Sequence, residues 1–135
     1  MASGEFVRET HGIESHKDLE VWQMAMTLAE ECYLLTARFP KDEMCGMSAQ
    51  IRRAAVSIPA NIAEGYGRDQ TGSFVQSLRI AQGSAREPET HLILTERVRF
   101  AEQQTMAPLQ ESCERISKML RSLIRSLEAR RAANQ

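Results

Sequence analysis

Leu109, Cys113, Ile116, Leu120, Leu123 and Leu127 recur at steps of four, three, four, three and four. That spacing returns an apolar side chain to one face of an α-helix at every turn, whereas a half-buried strand requires alternation. A seam of this kind must be buried against something, and the remaining chain supplies the same period. Met106, Met119 and Ile124 flank the seam, Thr105 is the expected cap, and Pro108 is tolerated in a first turn.

Three earlier segments repeat the pattern. Val21, Ala25, Leu28, Cys32, Leu35 and Phe39 form the first stripe, with Asp18 as N-cap, Trp22 at its edge and Phe39-Pro40 as its stop. The second is expected from Asp42 to Tyr66, carrying Met44, Met47, Ile51, Ala54 or Ala55, Ile58 and Ile62. Pro59 lies inside it and predicts a kink rather than a break, and Gly65 and Gly67 are expected to end it. The third opens on Ser73-Phe74-Val75-Gln76, a capping-box pattern, and carries Phe74, Leu78, Ala81, Ala85, Leu92 and Thr95. Pro88 in its middle predicts either a second kink or a break into two helices. Gly83-Ser84-Ala85 is a run of small residues that would let a neighbouring backbone come close.

Helices of ~20–27 residues are ~30–40 Å long, and short links between them force antiparallel neighbours. The expected fold is therefore all-α, an antiparallel up-down-up-down four-helix bundle. The 135 residues suffice for one such domain. Residues 1–16 are polar and aperiodic and are expected to be a mobile tail, 17–130 the bundle, and 131–135 a second tail.

The net charge of −1 is unevenly spread: residues 1–50 sum to −5 and residues 51–135 to +4. Such asymmetry bears on association rather than fold, and its ordinary meaning is a solvated surface. Cys32, Cys45 and Cys113 are odd in number and widely spaced, which excludes a disulfide framework and a Cys-x-x-Cys site. Each falls at an apolar helix position, which fits a reducing cytoplasm. No apolar run approaches the roughly 18 residues of a membrane span, and the start lacks a signal peptide's basic-then-apolar order.

One stretch is specific beyond its periodicity. His16-Lys-Asp-Leu-Glu-Val-Trp-Gln-Met-Ala, Phe39-Pro-Lys-Asp-Glu and Gln50-Ile-Arg-Arg-Ala-Ala-Val-Ser-Ile-Pro-Ala-Asn-Ile-Ala-Glu-Gly65 are followed by Gly67-Arg68, Ser73-Phe74 and Ile80-Ala-Gln-Gly-Ser-Ala-Arg-Glu87. Over about residues 17–128 this order resembles the four-helix-bundle family of 23S rRNA intervening-sequence proteins, the S23 family. The resemblance implies a protomer that assembles into a pentameric ring, with no enzymatic activity. It also implies similarity to the accessory variability determinant of diversity-generating retroelements, a pentamer that binds nucleic acid and a reverse transcriptase. Pro88 stands where the family usually carries an aliphatic residue, and the acidic net charge differs from the basic retroelement protein.

Two sets of polar residues are candidate sites. Gln50, Arg53, Ser57, Asn61, Glu64 and Arg68 step by three, four, four, three and four along the second helix. A solvated helix face is the ordinary account of such a stripe. The functional alternatives are a subunit interface or a ligand-facing groove, and because the family motif falls on the stripe, the interface is the preferred reading. Lys118, Arg121 and Arg125 form a basic stripe on the last helix, with Arg79 and Arg86 on the third and Arg52-Arg53 on the second. Clusters of this kind neutralise phosphate. Tyr66 and Phe74 are the only aromatics near them, so single-strand base stacking is a poor fit, and no helix-turn-helix or zinc finger is apparent.

Catalytic and metal chemistry find little support. Glu87 and His91 are one turn apart, but Pro88 takes the place of the Glu in Glu-x-x-His; His11 and His16 fall in the tail. Gly65-Tyr-Gly-Arg-Asp-Gln-Thr-Gly72 follows no strand and leads to no Gly-Lys-Ser/Thr, so it is a turn rather than a phosphate loop. No Ser, Cys or Lys comes with a base and an orienting group. The expectation is a non-enzymatic homo-oligomer without cofactor, whose partners are RNA, DNA or a nucleic-acid enzyme. The alternative is a protein-only scaffold.

Overall fold

The computed structural model describes residues 15–44 and 46–134. Cys45, His11 and all of the expected tail before Ser15 lie outside the described residues. The described residues form five α-helical segments: α1 Glu20–Thr36, α2 Met47–Tyr66, α3 Thr71–Ser84, α4 Arg86–Arg97 and α5 Gln103–Ala133. Short 3-10 turns at His16–Asp18 and Lys41–Glu43 precede α1 and α2, and no strand occurs among the described residues.

α3 and α4 are two successive helices of one rod. Ala85 between them keeps helical angles, φ −67° and ψ −20°, so the chain does not turn back. The cause is Pro88, which has no N–H to offer the carbonyl of Ser84. It stands third in α4, in the first turn, where an amide would lack an intrahelical partner anyway. Pro88 thus starts a new helix rather than bending an old one. α2 runs through Pro59 unbroken, with the ring buried.

The result is an all-helical bundle of four rods. α1 and α2 pack together, α2 lies along α3 and α4, and α5 contacts α1, α3 and α4. Phe39 meets Phe100 with ring centroids 5.5 Å apart, and the Thr95 hydroxyl donates to His91 O (2.8 Å) and Met47 Sδ (3.1 Å). Elsewhere Tyr66 packs edge-on to Phe74 at 5.7 Å.

The expected stripes form the core almost throughout. Val21, Ala25, Leu28, Cys32, Leu35 and Phe39 are buried, as are Ile51, Ala54, Ala55, Ile58 and Ile62. So are Phe74, Leu78, Ala81, Ala85, Leu92 and Thr95. Each large apolar side chain here contributes ~1.5–3 kcal/mol relative to exposure. Three positions differ, and the first is Met47, which is only half-buried. Met44 is 58 % exposed, because α2 begins only at Met47 and Met44 closes the 3-10 turn Lys41–Glu43 instead. In α5 the seam runs Leu109, Cys113, Ile116, Leu120, Ile124, Leu127, with Leu123 half-buried. A helix with 3.6 residues per turn drifts ~20° per heptad against a strict 3.5 repeat, so the buried line steps from Leu123 to Ile124.

Helix ends depart from the expected caps. Asp18 does not cap α1; it closes a capping box with Ser15 around the 3-10 turn, and Leu19 is the N-cap. His16, expected in the tail, packs edge-on to Trp22 at 5.1 Å. α3 starts at Thr71, two residues before Ser73, and α5 at Gln103, two before Thr105, so neither residue caps. Pro108 therefore lies in the second turn of α5. α5 also continues to Ala133, three residues past the expected end of the bundle.

Gly65 is the penultimate residue of α2 and Gly67 its C-cap, as expected, but Gly65 also serves packing. A Cβ there would stand 2.3 Å from Ser77 Cβ and 2.7 Å from its Oγ, so the bare backbone lets α2 and α3 close up. Gly83, expected to serve that purpose, has nothing within 4 Å of where a Cβ would be. The left-handed turn residue after α2 is Asp69 (φ 55°), not a glycine.

Candidate nucleic-acid interface

Four of the seven expected phosphate-binding side chains converge on one cleft. Arg79 and Arg86 line it from the α3–α4 rod, and Arg121 and Arg125 from α5, around about 380 Å³ of open space. Local geometry explains the grouping. Arg79 and Arg86 are two turns apart on one face, and Arg121 and Arg125 are one turn apart on theirs. α3 and α5 pack directly against each other, which brings the two faces to a common groove. Gln82 and Gly83 line the same wall as Arg79, and Ile124 and Glu128 the wall of Arg125.

Arg79 is ion-paired to Glu128. Arg86, Arg121 and Arg125 form no ion pair among the described residues. The cleft thus carries four guanidinium groups against one lining carboxylate. Guanidinium forks match phosphate oxygens bidentately and stay charged at any physiological pH.

The other three basic residues lie elsewhere. Lys118 pairs with Glu114 across one turn at 3.3 Å, both well exposed, and is not part of the cleft lining. Arg53 is exposed on α2. Arg52 is half-buried and used within the fold: its Nε donates to Thr36 Oγ1 at 2.8 Å, and its guanidinium lies 4.6 Å from the Tyr33 ring centroid. Those contacts tie α2 to α1.

The polar stripe of α2 splits as well. Gln50 and Arg53 face solvent. The Ser57 hydroxyl donates to Ala54 O and Asn61 Nδ2 to Ser57 O, both at 2.7 Å, so these two side chains serve their own helix. Glu64 and Arg68 pair across one turn at 2.7 Å. Asn61, Glu64 and Arg68 then line a second, more neutral cleft of about 320 Å³ with Gly72, Ser73 and Gln76.

The sequence reading omitted Glu128, although Arg121, Arg125 and Glu128 follow helical spacing on one face. Only the packing of α3 on α5 reveals that Glu128 meets Arg79, 49 positions away. The two described cysteines are buried and free, and burial pushes both thiols up to about 12, which leaves them protonated and unreactive. Among the described residues, no three His, Cys, Asp or Glu side chains are grouped to hold a metal, and no helix is long and apolar enough to cross a membrane.

Residues 17–122 match the family model described as 23S rRNA-intervening sequence protein. The chain belongs to that family. A crystal structure of a protein of unknown function from the S23 ribosomal protein family of Bacteroides thetaiotaomicron is similar, with a TM-score of 0.69 and 27 % identity. The match covers 77 % of this chain and 97 % of that one. No curated protein matches. The family match spans α1 to α4 and most of α5, stopping at Ser122. Arg125 and Glu128, on the α5 wall of the arginine cleft, therefore lie beyond the matched region.

Proposed function

We propose that this intervening-sequence-family protein is a non-enzymatic, cytoplasmic, homo-oligomeric bundle that binds the phosphate backbone of RNA or DNA through the cleft between the α3–α4 rod and α5. One observation carries this reading: Arg79, Arg86, Arg121 and Arg125, from two separate rods, line one groove with a single carboxylate among them. In a chain of net charge −1 such a concentration is local, and it is local potential that captures a polyanion. Contacts to phosphate position a backbone without reading its sequence, in keeping with the scarcity of exposed aromatics around the groove.

The test is equilibrium binding of the purified protein to labelled structured RNA and duplex DNA over a salt series. Affinity should fall linearly in log salt, and Arg121→Glu/Arg125→Glu should flatten the slope by about two. Unchanged affinity in that variant removes the cleft from the reading.

The finer architecture belongs to the same proposal. Up-down-up-down antiparallel order is supported by Phe39 on Phe100 and Met47 near Thr95 at one set of helix ends, and Tyr66 on Phe74 at another. Pentameric closure rests on the family resemblance. A second reading, a protein-only scaffold, is favoured by the apolar cleft of about 340 Å³ where exposed Met26, Tyr33 and Val56 surround Ala29 and Pro59. It fits a second copy of the chain better than a phosphate backbone, because no basic side chain lines it. Under that reading no nucleic acid binds even at low salt, and Arg53→Glu or Asn61→Leu changes the oligomer mass.

A further inference from the structure

We infer that Glu128 is a built-in counter-anion that occupies Arg79 and so limits the affinity of the arginine cleft for phosphate, an inference that rests on the nucleic-acid reading above. Glu128 stands on α5 in the row that begins with Arg121 and Arg125, and it is the one carboxylate lining the groove. Its carboxylate reaches across the groove to the Arg79 guanidinium.

The pair does little for the fold. Its side chains are 55 % and 42 % exposed, and ion pairs that open to water contribute weakly to stability. α3 packs on α5, and both contribute buried apolar side chains to the common core, Phe74, Leu78 and Ala81 from α3 and Leu120, Ile124 and Leu127 from α5. The consequence of the pair falls on the ligand. A carboxylate and a phosphate use the same bidentate edge of a guanidinium, so the two compete for Arg79. An incoming phosphate must displace Glu128 before Arg79 contributes. The open cleft therefore offers three free guanidinium groups and one that is masked.

The test compares wild type, Glu128→Gln, Arg79→Gln and the double variant, each as the full chain, on labelled duplex DNA over a salt series. Glu128→Gln keeps the shape and polarity of the side chain but removes its charge. It should bind about fivefold tighter than wild type, the ratio equivalent to a strong surface pair. Its log–log salt slope should steepen by about one released counterion. In the Arg79→Gln background the same change should alter affinity less than about twofold, because nothing is left to unmask.

Several results overturn the inference. If Glu128→Gln leaves affinity unchanged while Arg121→Glu/Arg125→Glu still weakens wild-type binding, the cleft reading stands and the counter-anion falls. If the gain persists at full size in the Arg79→Gln background, Glu128 acts through the general field and not through Arg79. If none of the four proteins binds at low salt, both readings fall together.

Discussion

At Gly65 the backbones of α2 and α3 approach so closely that a single methyl decides stability. Gly65→Ala places a Cβ 2.3 Å from Ser77 Cβ. Neither atom is the end of a flexible side chain, so the helices must part. The expected loss is ~1–3 kcal/mol, read as a lower midpoint in urea unfolding. Burial acts differently at Cys32 and Cys113, whose thiols are held near 12 against an ordinary 9.0. A folded-state value raised this way gives stability that is fully present below pH 9 and lost as pH rises toward 12, because the unfolded chain releases protons the folded chain keeps. The urea midpoint should therefore fall more between pH 8 and pH 11 in wild type than in Cys32→Ala/Cys113→Ala.

Among the elements, α5 shows how a helix chooses which residues it buries. Its leucine seam reads as a strict heptad, yet between Leu120 and Leu127 the inward line crosses from Leu123 to Ile124. Leu120→Ala should cost ~2–5 kcal/mol, as expected for a fully buried position, and Leu123→Ala clearly less. Equal losses would contradict the shift. The joint between α1 and α2 makes a second case. Arg52 donates to Thr36 and stacks on Tyr33, so Arg52→Lys, which lacks the planar fork, should lower stability by ~1 kcal/mol. DNA affinity should be unaltered by that change, in contrast to Arg121 and Arg125. Element ends were the least readable part of the sequence. Ser73 and Thr105 have cap chemistry, but both helices start two residues earlier, on Gln70 and Glu102 as N-caps.

For the whole molecule, the distribution of charge outweighs its sum. Acidic residues dominate the first fifty positions and basic ones the remainder, and the fold concentrates four arginines from that basic half in one groove. Sedimentation or light scattering provides the complementary check on assembly. A pentamer of this 15.2 kDa chain has a mass of about 76 kDa, and Arg53→Glu should reduce it if the α2 stripe is an interface. A monomeric wild type would remove both the ring and that role for the stripe.

Periodicity alone determined the helical class, nearly every core residue and the passage of α2 through Pro59, because burial of an amphipathic stripe is a local consequence of spacing. The family resemblance, too, was legible in linear motifs such as Ser57-Ile-Pro-Ala-Asn-Ile-Ala-Glu-Gly65. Tertiary structure decided what spacing cannot encode: which basic residues share a groove, that Glu128 meets Arg79, that Arg52 braces the fold, and that the close backbone approach is at Gly65 and not at Gly83. Each of these depends on how two helices are rotated and set against one another. That relation is fixed by the fit of whole faces, and no short stretch of either helix contains it.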